Sequence, residues 1–179
     1  MTSASASRLR ACMRLRGYDR LDCALVSADV PCPCAALFTR NAFSAAPVDV
    51  SRGHLRRVSF GFVRAVLINS GNANALTGEN GLGGAALGKP RVGRAGLPGR
   101  RVLVASTGIM GSRPPVEPFE CGVLRAGGRR ATAATMRPRI LTSGAPEGSC
   151  RFVPQHRCGV PGCTFTVGGM AKGPRCCWC

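Results

Sequence analysis

Two short apolar runs each stop in a turn of small polar residues, and this constrains the fold more than anything else in the chain. Val63-Arg-Ala-Val-Leu-Ile68 leads into Asn69-Ser-Gly-Asn-Ala-Asn-Ala75, and Val102-Leu-Val-Ala105 leads into Ser106-Thr-Gly108. Runs of four to six residues rich in Val, Leu and Ile, closed by Gly and Asn, read as buried strands rather than helices. Asn and Gly tolerate positive φ, so the chain turns sharply where each strand ends. Leu21–Ser27 reads as a further strand, closed by Asp29 and Pro31. Ala35–Arg40 and Ala45–Val50 read as two more. Ser51 ahead of His54-Leu55 reads as an N-cap opening a short helix. Thr164–Val167 is a late strand expected to break at Gly168-Gly169. Strands separated by Gly-rich turns with at least one helix give a mixed α/β chain. Its 179 residues suffice for one domain with a core of its own.

The charge raises a second question. Lys and Arg number 25 against 8 Asp and Glu, for a net charge of +17. Only Lys89 and Lys172 among these cations are lysines. A nucleic-acid surface gathers its cations on one face and interleaves aromatics for stacking. Here the Arg residues are spread along the chain, and aromatics make up only 5%, so no specific nucleic-acid partner is expected. No apolar run approaches the ~20 residues of a membrane span. The acid-free stretch between Glu79 and Glu117 contains a Gly/Pro/Arg-rich segment at 88–100, which disfavours helix because each interior Gly costs about 1 kcal/mol and each Pro about 3. The first 11 residues are Ser- and Arg-rich without an acid, as in a disordered or organelle-targeting extension.

The order of the motifs is specific. Phe38-Thr-Arg-Asn41, Ala45-Ala-Pro-Val48, the Ile68–Ala75 string with Thr77-Gly78, Ala105-Ser-Thr-Gly108 and Gly168-Gly-Met-Ala-Lys-Gly173 follow one another. In this the chain resembles the bifunctional ornithine acetyltransferase/glutamate N-acetyltransferase family of arginine biosynthesis, over residues 12–173. The resemblance implies a layered α-β-β-α sandwich, of which this chain is the N-terminal (α-chain) half. It implies transfer of an acetyl group from N2-acetylornithine to glutamate, with acetyl-CoA as an alternative co-substrate and no cofactor or metal. It further implies a C-terminal β-chain half from the same precursor as partner, in a heterotetramer. Thr107 and Gly108 match the family's oxyanion-hole turn, and Lys172 matches its substrate-binding lysine, a point charge for a carboxylate. The family's bacterial members are cytoplasmic and its eukaryotic ones sit in mitochondria or plastids. The wording of the motifs favours the cytoplasmic reading.

Three departures bear on activity. The family's nucleophile is a Thr freed by self-cleavage in a Met-Ala-Thr sequence beyond the lysine, a hydroxyl activated by its own α-amine. Here Gly173-Pro-Arg-Cys-Cys-Trp-Cys179 follows Lys172, so no nucleophile is expected in this chain, and inactivity alone follows. Thr135 lies upstream of the lysine and does not replace it. The family's Met-Thr-Thr-Asp-Thr segment, whose last Thr contacts substrate, corresponds to Ile140–Pro146, which puts Gly144 or Ala145 at that position. The helix expected between the Asn-rich turn and Ser-Thr-Gly is replaced by the degenerate segment 88–100. Residues 174–179 read as an aberrant tail, and the surplus of Arg, Gly, Pro and Cys as the trace of a disturbed reading frame. The competing reading is a basic, Cys-rich module that binds zinc or nucleic acid. For zinc it would use Cys158, Cys163, Cys176 and Cys179 with His156.

Overall fold

The computed structural model describes residues 7–12, 23–58, 62–69, 71–86, 99–111, 150–160 and 163–172. They form a four-stranded sheet in the order β1-β2-β3-β4 and a separate two-stranded sheet, β5-β6. The elements are β1 (Ser7–Cys12), β2 (Cys23–Pro33), α1 (Ala46–Arg57), β3 (Phe62–Asn69), α2 (Gly78–Ala86), a 3-10 turn (Gly99–Arg101), β4 (Val102–Ser106), β5 (Cys150–Val160) and β6 (Cys163–Lys172). β1, β2 and β3 pair antiparallel, whereas β3 and β4 pair parallel with α2 in the connection between them. No helix among the described residues is long and apolar enough to cross a membrane.

β3 shows why one face of the sheet is buried: Val63, Ala65, Leu67 and Asn69 are buried, and the residues between them are not. In register, Leu67 stands opposite Leu25, and Ala65 lies between Ser27 on β2 and Val102 on β4. Leu25, Leu67 and Leu55 of α1 are each 1% exposed and anchor this core. Each contributes about 2 kcal/mol by leaving water.

The structure differs from the sequence expectations at six places. Within the first 11 residues, expected as a disordered or targeting extension, Ser7–Ala11 pair antiparallel with β2 as part of β1, because β2 offers its edge to them. The other five each have a local reason. β2 does not stop at Asp29 and Pro31. It continues to Pro33 through a register shift between Ser27 and Cys32, the arrangement that lets a proline without an N–H sit in a strand. The Arg64 guanidinium donates to the carbonyls of Ala28 (3.4 Å) and Asp29 (3.0 Å) in that irregularity. Ala35–Arg40 is not a strand. The Thr39 carbonyl there accepts from Arg52, the Asn41 N–H donates to the Thr39 hydroxyl, and the Phe43 N–H donates to Asn41 Oδ1. Short side-chain bonds of this kind divert backbone from a ladder.

Ala45–Val50 is helical, and Ser51 lies inside α1 rather than capping it. Pro47 in the first turn presets φ, Asp49 faces the positive end of the helix dipole, and His54, Arg56 and Arg57 face the negative end. A helix, α2, does form between the Asn-rich turn and Ser-Thr-Gly, over 78–86 and ahead of the Gly/Pro/Arg segment, most of which lies outside the described residues. Finally, β6 runs through Gly168-Gly169 without breaking, because its ladder with β5 continues to Lys172.

α1 packs against β4 and α2. Its Ser51 and His54, one helical turn apart, serve the backbone of β4 directly. The Ser51 hydroxyl donates to the Val104 carbonyl (3.0 Å) and accepts from the Val104 N–H (2.9 Å). His54 Nδ1 donates to the Val102 carbonyl (2.7 Å). Alternate β4 residues are thus met by side chains where another strand would otherwise pair, which closes an exposed sheet edge.

Candidate active site

Because β3 and β4 are parallel, their C-terminal ends leave the sheet side by side, the usual place for a ligand site in sheets of this kind. The last pair in register is Asn69 with Ser106. Beyond it, the two turns interlock. The Thr107 N–H donates to the Asn69 carbonyl (3.1 Å), the Ile109 N–H to Gly71 (3.4 Å), the Ala73 N–H to Ile109 (2.9 Å) and the Gly111 N–H to Ala75 (2.9 Å). Asn72, 2% exposed, is bridged to both Thr107 and Ile109.

The Asn residues of the first turn hold it from within. Asn69 Nδ2 donates to the Asn72 carbonyl (3.0 Å), while Asn69 Oδ1 accepts from the Ser106 hydroxyl. Asn72 Oδ1 accepts from the Asn74 N–H (2.8 Å). Asn74 sits at φ +50°, a left-handed conformation Asn tolerates. Its Nδ2 donates to the Gly81 carbonyl (3.0 Å) and its Oδ1 accepts from Thr77 (2.8 Å), which ties the turn to the start of α2. Each Asn in the string therefore has a specific structural task.

Gly108 is required at its position on two counts. Its φ is +133°, and a Cβ there would lie 2.3 Å from the Gly71 carbonyl carbon and 2.5 Å from the Asn72 nitrogen. The two turns pass backbone against backbone with no room for a side chain. Gly108 is exposed, and Thr107 is half-buried. The Thr107 N–H is already committed to the Asn69 carbonyl. Among the described residues, no hydrogen bond engages the Gly108 N–H or the Thr107 hydroxyl. The Gly108 N–H and the Thr107 hydroxyl are therefore the candidate donors of the turn. Exposed Ile109 and Met110 follow the turn, and exposed Leu76 follows Ala75, whose carbonyl accepts the Gly111 N–H.

Lys172, the third residue expected at the site, is the last residue of β6, opposite Cys150 in the two-stranded sheet. Its side chain lies outside what the structure describes. Gly144, Ala145, Thr135 and the segment after Lys172 lie outside the described residues. Cys158 and Cys163 stand on β5 and β6, opposite Phe165 and Val160, and His156 is opposite Val167. Cys176 and Cys179 lie outside the described residues. No group of three metal-ligating side chains occurs among the described residues. Sequence reasoning missed Asn69, Asn72 and Ser106 as the residues that build the turn. The signal was present in the three asparagines at 69, 72 and 74, since Asn clustered at a strand end is suited to local backbone bonding.

The Thr107–Gly108 turn, interlocked with an Asn-rich loop where two parallel strands end, is the candidate site of this α/β scaffold. The ArgJ family model matches residues 6–176, and the chain belongs to that family. It is 35% identical over 167 residues to the arginine biosynthesis bifunctional protein ArgJ of Symbiobacterium thermophilum, covering 88% of this chain and 38% of that protein. It is 38% identical over 160 residues to the mitochondrial ArgJ of Aspergillus oryzae, covering 85% of this chain and 34% of that protein. The chain thus spans little more than a third of the length of these relatives. Among solved structures, it is similar to the ornithine acetyltransferase of Mycobacterium tuberculosis, determined in complex with ornithine. That match has a TM-score of 0.77 and 27% identity, covering 95% of this chain and 89% of that one. The Bacillus halodurans ArgJ structure matches with a TM-score of 0.73 and 30% identity, covering 95% and 88%. The α/β fold is that of the ornithine acetyltransferases.

Proposed function

We propose that this chain is the N-terminal, oxyanion-binding part of an enzyme that transfers an acetyl group from N2-acetylornithine to glutamate in arginine biosynthesis. The carrying observation is the pair of uncommitted donors on the Thr107–Gly108 turn. When a nucleophile attacks the acetyl carbonyl, the oxygen gains negative charge, and donors already fixed toward it lower the barrier without reorganising. The Gly108 N–H approaches without a Cβ in the way, and the Thr107 hydroxyl rotates to complete the pair. Lys172 serves as the cation for a substrate carboxylate, and acetyl-CoA is an alternative acetyl source.

The nucleophile in this reading is a Thr hydroxyl outside these 179 residues, carried by a C-terminal β-chain partner, with the two chains paired again into a heterotetramer. The relative lengths support that division. A chain that fills 38% of the Symbiobacterium protein covers 89% of the solved Mycobacterium chain, so the solved polypeptide is itself far shorter than the full ArgJ protein. The exposed Leu76, Ile109 and Met110 then lie where the partner would approach. The compartment follows the host, bacterial cytoplasm or, as for the Aspergillus relative, mitochondrion.

The test is co-expression of this chain with the C-terminal portion of the Symbiobacterium relative, followed by an assay of acetyl transfer from N2-acetylornithine to glutamate. Activity is expected from the pair and not from the chain alone. Thr107→Ala should lower kcat in the pair by about 10²–10³, the usual cost of losing one oxyanion donor. Turnover by the isolated chain would refute the assignment of the nucleophile to the partner.

A further inference from the structure

Asn69 is 5% exposed and takes part in three hydrogen bonds that meet at the site. Its carbonyl accepts the Thr107 N–H, its Nδ2 donates to the Asn72 carbonyl, and its Oδ1 accepts the Ser106 hydroxyl. Asn72 in turn carries the bridges to Thr107 and Ile109. One residue at the end of β3 therefore fixes both the start of its own turn and the end of β4. Of the turn's donors, the Asn69 carbonyl takes the Thr107 N–H. A buried amide used on both its donor and acceptor sides is costly to disturb, since each partner it leaves is stranded without water.

We propose that Asn69 is the positioning residue of this site. By holding Asn72 and Ser106 through its side chain and the Thr107 N–H through its carbonyl, it aligns the two turns so that the Gly108 N–H and Thr107 hydroxyl face outward. Asn69 touches no substrate in this role. The inference rests on the oxyanion reading of Thr107 and Gly108, but its structural part is measurable without catalysis.

The experiment is amide hydrogen exchange, residue by residue, on the full chain. Asn69→Asp keeps the shape and can still accept from Ser106, but it loses the donor to Asn72. It should speed exchange of the Ala73, Thr107 and Ile109 amides at least tenfold and leave Leu67 and Val104, in the strands, within twofold. Ser106→Ala should do the same to a smaller extent, and Ser106→Thr, which restores the hydroxyl, should return wild-type rates. If Asn69→Asp fails to fold, the Ser106 pair decides. Equal acceleration in strands and turns would reduce Asn69 to a general stabiliser and overturn the proposal, as would no acceleration at all. In the co-expressed pair, Asn69→Asp should lower kcat at least tenfold with KM within threefold. If Thr107→Ala lowers kcat and Asn69→Asp does not, the positioning role is wrong. If Thr107→Ala has no effect, the oxyanion reading fails, and the exchange rates still judge the Asn69 tie.

Discussion

The two sheets hold their candidate site residues in different ways. Thr107 and Gly108 sit where parallel strands end, and bonds between residues far apart in sequence fix them: Thr107 to Asn69, Ile109 to Gly71 and Ser106 to Asn69. β4 is itself held from its other edge by Ser51 and His54, about fifty residues earlier in the chain. Lys172 ends a hairpin whose ladder joins neighbouring segments, with a register shift at Val153/His156 that accommodates Pro154. A two-stranded sheet by itself is marginally stable. Donors aimed at a developing charge need fixed geometry, whereas an ammonium on a flexible stem supplies charge over a range of positions. The four-stranded sheet therefore suits the oxyanion donors proposed on Thr107 and Gly108, and the hairpin suffices for the contact proposed for Lys172.

The strongest way to break this contrast is Gly108→Ala. The new Cβ would lie 2.3 Å from Gly71 backbone at a φ of +133°, and neither neighbour can yield without moving an interlocked turn. We expect a loss of more than about 3 kcal/mol in denaturant unfolding, with no acetyl transfer in the co-expressed pair. A stable Gly108→Ala chain would mean that the turns are not tightly interlocked, and the contrast between the sheets would collapse.

How far the sequence revealed this arrangement depended on whether the signal was local. Val63–Ile68 and Val102–Ala105 were legible because compact Val/Leu/Ile runs ending in Asn or Ser-Thr-Gly carry their own stop signals. Ala45–Val50 was misread as a strand because Pro47 and two Val residues suit extended backbone as well as a first helical turn. The contacts of Ser51 and His54 with β4 decide for helix, and they form only in the folded chain. The end of β2 was misplaced because the guanidinium that supports its irregularity belongs to Arg64, on another strand. Thr107 and Gly108 are candidates through motif order, and the structure adds the interlocked turn around them. The role of Asn69 depends on the register that places it opposite Ser106, and no spacing in the sequence states that register.

Ser51→Ala sharpens the contrast by loosening the rigid sheet from its edge. Ser51 is 4% exposed and satisfies both the N–H and the carbonyl of Val104. An alanine there leaves both without a partner beneath a helix. The expected cost is about 1–3 kcal/mol in thermal or denaturant unfolding, and Ser51→Thr, which keeps the hydroxyl, should recover part of it. Any loss of activity should follow the loss of folded protein, because the turn bonds beyond Ser106 do not involve Ser51. A change in kcat at full folding would mean that the edge contact also sets the site.

Lys172→Met tests the other sheet and should have the smallest effect on folding. Its backbone closes the β5-β6 ladder whatever side chain it carries, so stability should stay within about 0.5 kcal/mol of wild type. Activity in the co-expressed pair is a separate matter. If Lys172 meets a substrate carboxylate, the methionine removes a charge that attracts substrate and transition state alike, which raises KM more than it lowers kcat. A rise of more than about tenfold in KM corresponds to at least ~1.4 kcal/mol of lost binding. Lys172→Arg keeps the charge, and on a flexible stem it should recover most of the affinity. Equal damage from arginine and methionine would show that Lys172 is held as tightly as the oxyanion turn, and the hairpin would then have to be ordered by the rest of the assembly.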